Sequence, residues 1–169
     1  FNRMNAYFDS IFSDSLCGFR SRHSTQHARL KLLQNWENAL DHSQLVGTVL
    51  MDLSKAFDSL PRELLLANLF ANGFTERSIL LIGSYPGKRN QRTKAGSELS
   101  LWLDIINGMP QDSVLGPLLF NIFVNDLMFI GEYSTICNFA DDNTIYCYNS
   151  NLSDLNRTLQ KKLPYIWNG

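Results

Sequence analysis

Residues 134–148 set the tightest condition on the fold. Two short runs, 134–139 and 144–148, are rich in Thr, Ile, Tyr, Phe and Cys, and between them stands Ala140-Asp141-Asp142-Asn143, a cluster of turn formers. The spacing predicts a tight β-hairpin with acids at its tip. Neighbouring side chains in a regular strand point to opposite faces, whereas a turn can present two adjacent carboxylates together. Far upstream, residues 45–51 form a short and nearly unbroken apolar run, with Val46, Thr48 and Val49, that ends at Asp52. This pattern predicts a buried strand delivering a further carboxylate to its end. Three carboxylates brought together would repel one another unless a divalent cation offset their charge, so Asp52, Asp141 and Asp142 are candidate Mg²⁺ ligands. Taken alone, the same residues also describe an ordinary polar turn.

Periodicity supplies the other elements. Residues 25–40 place Leu30, Leu33, Trp36, Ala39 and Leu40 at helical spacing behind Ser24 or Thr25 as a cap, which predicts a surface helix. Pro61 opens a helix that runs to about Ala71, with Gly73 after its end, and a shorter helix covers 76–84. Residues 89–94 and 101–106 read as a hairpin across Gly96-Ser97. From 115 to 130, Leu118, Leu119, Ile122, Phe123, Leu127 and Met128 repeat on a helical stripe expected to lie under the sheet, with Pro117 tolerated in the first turn. A last amphipathic helix runs from about residue 153 to Trp167. The alternation of strands and helices predicts an α+β fold: a split βαβ (ferredoxin-like) antiparallel sheet with helices packed on one face.

Composition narrows the function classes. A chain of 169 residues, 44% hydrophobic, can bury the core of one domain, and no repeat or Pro/Gly/Ser-rich linker divides it. No stretch reaches the ~18 unbroken apolar residues of a membrane span. The chain opens at Phe1 without the pattern of a secretory leader, which predicts a segment of a longer reading frame. Three scattered cysteines, Cys17, Cys137 and Cys147, suit neither a disulfide framework nor structural zinc, and an intracellular compartment, nucleus or cytoplasm, is expected. Cys137 and Cys147 are expected near each other across the hairpin, as small core residues. The net charge of −1 and pI near 6.3 run against a free-standing nucleic-acid binder. Two basic clusters run the other way: Arg20, Arg22, Arg29 and Lys31, and then Lys88, Arg89, Arg92 and Lys94. Each is read either as a solvated face or as a phosphate contact. His23 and His27 have the spacing of a zinc protease helix but lack its Glu, since Ser24 follows His23.

Four motifs in order carry a resemblance. Gly18-Phe19-Arg20 with Ser24-Thr25 comes first, then Met51-Asp52-Leu53-Ser54-Lys55-Ala56-Phe57-Asp58. Gly108-Met109-Pro110-Gln111 with Ser113-Val114-Leu115-Gly116-Pro117 follows, and Phe139-Ala140-Asp141-Asp142 closes the series. Together, from about residue 16 to 167, they resemble the reverse transcriptase domain of non-LTR (LINE-type) retrotransposons. The resemblance implies a polymerase palm with partial fingers: residues 1–44 finger-side, 45–152 palm, and 153–169 the start of a helix leading to a thumb. It implies an RNA-directed DNA polymerase whose partners are an RNA template, a DNA primer and a deoxynucleoside triphosphate. Other domains of a longer polyprotein, an endonuclease among them, would accompany it. In that reading Asp52 and Asp141 hold two Mg²⁺ ions, with Mn²⁺ as a substitute, and Asp142 is the supporting acid. Phe57 matches an aromatic gate against the sugar 2′ position, or else is a core aromatic. Gln111 matches the residue beside the incoming nucleotide and template base, or else is a turn residue. Asp112 stands where the family usually has Gly; it suits a cap of the following helix, and it adds negative charge where a triphosphate would enter. With thumb and full fingers lacking, it leaves open a catalytically inactive remnant of such an element. A sheet that binds RNA is the remaining alternative, although such modules stack bases on exposed aromatics rather than place acids at a hairpin tip.

Overall fold

The structure is a computed structural model and describes residues 2–53, 55–85, 89–105, 107–109, 113–129 and 135–167. The chain forms two compact units: Phe1–Ser54 together with Val124–Gly169, and Lys55–Phe123. The first contains α1 (Asn2–Asp9), α2 (Thr25–Asp41) and β1 (Leu45–Asp52). The second contains α3 (Ala56–Ser59), α4 (Arg62–Ala71), α5 (Glu76–Ser84), β2 (Arg89–Gln91), β3 (Lys94–Ala95), β4 (Glu98–Leu99) and β5 (Leu103–Ile105). Helix α6 (Gly116–Asn125) begins in the second unit and ends in the first. A 3-10 turn (Asp126–Phe129), β6 (Thr135–Phe139), β7 (Asp142–Asn149) and α7 (Leu152–Trp167) complete the first.

An antiparallel sheet in the order β1-β7-β6 organises the first unit. The α+β class and the acid-tipped hairpin are as the sequence predicts. The helices differ: they cover both faces rather than one. Side chains alternate along β7, so Tyr146 and Cys147 face opposite ways. On the Tyr146 face lies α2, where Trp36 meets Tyr146 edge-on at 6.2 Å and Asn35 Nδ2 donates to the Tyr146 hydroxyl at 2.8 Å. On the other face lies α7, admitted by Gly47, whose missing Cβ would stand 2.7 Å from Leu159 and 3.2 Å from Leu155. Two apolar faces explain the arrangement, because Ile145, Tyr146 and Cys147 are buried in succession.

Two patterns were misassigned from sequence. Strand β1 is not buried: it is an edge strand on which exposed and half-buried residues alternate, and Leu50 is 78% exposed. The inward side of α2 keeps Trp36 and Ala39 of the predicted stripe and adds Ala28 and Leu32, whereas Leu30, Leu33 and Leu40 face outward. Its cap is Ser24, whose Oγ accepts from the His27 amide.

Arg20 is neither a solvated cation nor a free phosphate contact. Its side chain is 6% exposed; Nε donates to Asp9 Oδ1 at 2.9 Å, and the remaining nitrogens donate to the carbonyls of Ser13, Leu16 and Asp9. The fork therefore ties α1 to the loop that follows. Arg20→Lys keeps the charge but loses the fork, and is expected to lower stability by about 1–3 kcal/mol in a denaturant melt. A melt identical to wild type would show that the fork holds nothing.

In the second unit α4 ends as predicted at Gly73 (φ 82°), with Gly73 N–H donating to Phe70 O and Phe74 N–H to Leu69 O, a Schellman motif. Arg62 donates to the Gly83 carbonyl and joins α4 to α5. The predicted hairpin forms in two parts, β2 with β5 and β3 with β4, across Gly96-Ser97. Lys88 and Ile106 lie outside the described residues.

Candidate metal-binding carboxylate turn

The carboxylates gather at one end of the three-stranded sheet. Asp52, the last residue of β1, stands directly opposite Asp142, the first of β7. Facing residues of an antiparallel pair have Cβ atoms about 4.5–5.5 Å apart, so the two carboxylates share one face. Asp141 occupies the two-residue connection between Phe139 and Asp142, and its carbonyl accepts from the Leu53 amide at 3.3 Å. All three carboxylates are exposed, and Leu50 and Thr48 on the same face of β1 are exposed beside them. Oxygen-only donors suit a hard divalent cation. Among the described residues, no group of three or more His, Cys, Asp or Glu is drawn into a cage for a metal. The carboxylates thus form a facing pair with a third acid on the adjoining turn.

The turn is held from three sides. Ala140 adopts φ 58°, an unfavourable value for a residue with a Cβ, and its conformation needs support. From below, Asn138 Nδ2 donates to Ala140 O at 2.6 Å and to Asn143 Oδ1 at 3.0 Å, and Asn143 Nδ2 donates to Asp141 O at 3.0 Å. Along the outer edge of β6, the loop carrying Leu16 forms a parallel bridge to Asn138, with Cys17 N–H donating to Asn138 O and Asn138 N–H to Ser15 O, both at 2.9 Å. Gly18 follows, packed on the turn so closely that a Cβ would lie 2.2 Å from the Ala140 nitrogen. Two motifs separated in sequence are therefore in contact through backbone.

Beneath the hairpin Cys17 and Cys137 share a core cluster with Ala28 and Tyr146. A hydrogen bond between the two thiols holds Cys17 down at about 6, while the same bond and burial push Cys137 up. Burial likewise raises the Tyr146 hydroxyl. The predicted proximity of Cys137 and Cys147 does not hold, since Cys137 shares its face with Thr144 and Tyr146, and Cys147 points the other way. All three cysteines are buried, Cys137 and Cys147 being the small core residues expected.

Phe57 lies in the second unit, half-buried and stacked on Phe120 at 4.6 Å between ring centroids. Its carbonyl accepts from Met109 N–H and that of Leu60 from Gly108 N–H, so the two central motifs are joined there by backbone bonds. An open depression of about 600 Å³ beside them is lined by Lys55, Asp58, Arg89, Gln91 and Asn107 among others. Ser54, Pro110, Gln111 and Asp112 lie outside the described residues. The cap expected of Asp112 therefore falls outside them, and at the start of α6 Ser113 Oγ accepts from the Gly116 amide at 2.9 Å.

Sequence reasoning missed Asn138, Asn143 and the contact made by Gly18. A signal was present: Asn138 and Asn143 fall on the apolar parity of their strands, with Ile136 and Ile145, where an amide is expensive unless paired.

Comparison with known proteins points to one family. A family model described as "Reverse transcriptase (RNA-dependent DNA polymerase)" matches residues 1–165. The probable RNA-directed DNA polymerase from transposon BS of Drosophila melanogaster is 27% identical over 98% of this chain. The RNA-directed DNA polymerase from mobile element jockey of Drosophila funebris is 29% identical over 65% of it. The chain spans 19% and 12% of the length of these two relatives. The solved structure of apo telomerase from Candida tropicalis, truncated from its C-terminal domain, aligns with a TM-score of 0.66 over 96% of this chain and 36% of that one. At 14% identity that likeness is one of fold.

Proposed function

Because the chain belongs to the reverse transcriptase (RNA-dependent DNA polymerase) family, we propose that the protein containing it is the RNA-directed DNA polymerase of a non-LTR retrotransposon. The observation that carries this reading is the register of Asp52 against Asp142 beside the Asp141 turn. Residues 1–44 serve as the finger-side segment, 45–152 as palm, and 153–169 lead towards a thumb. Asp52 and Asp141 hold the divalent cations, Mg²⁺ or Mn²⁺, with Asp142 in support. Bound there, two cations would stabilise both the attacking 3′-hydroxyl and the leaving pyrophosphate oxygen of an in-line transfer from a deoxynucleoside triphosphate. The protein's own part is to aim the carboxylates and to keep clear the exposed face of Thr48, Leu50 and Asp52, where a primer end approaches. Such a template and primer place the work inside the cell, and no helix among the described residues is long and apolar enough to cross a membrane.

The test is primer extension by the full-length chain on an RNA template. Extension with deoxynucleotides should stop on chelation and return with Mg²⁺ or Mn²⁺. Its absence under all these conditions would support the inactive remnant to which Asp112 points. Sugar selection gives an independent check. Phe57 rests on the buried Phe120, so the ring is held firmly with one part still accessible, as a steric gate requires. Phe57→Ala is expected to raise ribonucleotide incorporation about tenfold or more relative to deoxynucleotide, measured as a ratio of kcat/KM. An unchanged ratio in a folded variant would leave Phe57 a packing residue.

A further inference from the structure

We propose that Asn138 and Asn143 are positioning residues for the carboxylate turn and set the affinity of the site for its divalent cation; this rests on the polymerase reading above. They face each other in register across β6 and β7, and they are 0% and 2% exposed. By strand alternation they lie on the face opposite Asp52 and Asp142, so neither amide is itself a ligand. Their side-chain bonds are directed at the turn. Asn138 reaches the Ala140 carbonyl, Asn143 reaches the Asp141 carbonyl, and one amide bonds the other.

A pair of aliphatic residues would pack such a position at lower cost. As built, the Asn138 Oδ1 is buried without a hydrogen-bond partner, a penalty that apolar residues would avoid. The penalty accompanies a specific gain in geometry. The Asp141 carbonyl that receives Asn143 also receives the Leu53 amide, so one atom ties the turn to the end of β1, beside Asp52. Removing the Asn143 donor frees Asp141 to move relative to Asp52 without removing any carboxylate. Outer groups that orient metal ligands commonly alter metal affinity tenfold to a hundredfold, and the same range is expected here.

The experiment measures Mn²⁺ binding to the full-length chain by water-proton relaxation, without primer or nucleotide, together with amide exchange at residues 139–143 and 52–53. Asn143→Leu fills the space but donates nothing, and Asn143→Ser is the milder variant that decides if the leucine form does not fold. Each should weaken Mn²⁺ binding about tenfold and speed exchange at the turn, while the centres of β1 and β7 stay protected. Unchanged affinity and exchange in a folded Asn143 variant, with Asp141→Asn weakening the metal, would overturn the positioning role alone. Should Asp141→Asn also leave Mn²⁺ bound as in wild type, the carboxylate site itself falls, and the positioning role with it.

Discussion

Asp52→Asn, Asp141→Asn and Asp142→Asn, made singly in the full-length chain, are each expected to reduce RNA-templated primer extension by about a thousandfold or more. Each change removes one charge from an oxygen-only donor set that has no His or Cys to compensate. Folding should be spared. Asparagine is nearly isosteric with aspartate, and the carboxylates are exposed. At the turn it is the Asp141 carbonyl, not its carboxylate, that receives Leu53 and Asn143, and asparagine keeps that atom. The measurement is kcat/KM for extension set beside a thermal melt. Extension at the wild-type rate by Asp141→Asn would remove the assignment, whereas loss of activity with a collapsed melt would only show a structural role.

Much of this site was legible because it depends on local chemistry. Turn formers between two β-rich runs define the hairpin whatever surrounds them, and the Asp52 that ends an apolar run is a strand end in nearly any context. Burial depends on neighbours and was less legible. An apolar run such as residues 45–51 does not distinguish a central strand from an edge, and β1 proved to be an edge with Leu50 exposed. The stripe of α2 was legible only at Trp36 and Ala39, for a related reason. Helical spacing alone does not say which turn of the stripe meets the partner; β7 presents the bulky Tyr146, and the residues of α2 packed with it are Ala28, Leu32 and Trp36, with Asn35 for the hydroxyl. Helices on both faces follow from that same strand, whose successive buried residues need cover on each side. Contacts between motifs were the least legible, since nothing in Gly18-Phe19-Arg20 shows that its glycine meets Ala140 or that its arginine turns back to Asp9.

Among the described glycines of the first unit, Gly18 is the one whose added methyl group would meet its neighbours most closely. Adding a Cβ at Gly18 would place it 2.2 Å from the Ala140 nitrogen, 2.9 Å from its Cα and 3.2 Å from the Phe139 carbonyl carbon. All three are backbone atoms, so no side-chain rotamer can relieve the overlap. Either the 15–18 segment lifts from β6, breaking its bonds to Asn138, or the turn shifts and carries Asp141 with it. Gly18→Ala is therefore expected to cost about 2–3 kcal/mol, a fall in Tm of roughly 5–10 °C for a chain of this size. Gly73→Ala is the control, because its added Cβ meets nothing within 4 Å and only the φ of 82° opposes it, a cost of about 1 kcal/mol. The two substitutions make the same chemical change, one opposed by φ alone and the other by crowding, so a larger loss at Gly18 is the mark of crowding at the turn. Mn²⁺ affinity adds a second readout. If the turn yields, Gly18→Ala weakens binding while Gly73→Ala does not, and if the 15–18 segment yields, stability falls with affinity preserved. A Gly18→Ala protein that melts no lower than Gly73→Ala would mean that the Gly18-Phe19-Arg20 motif does not press on the carboxylate turn.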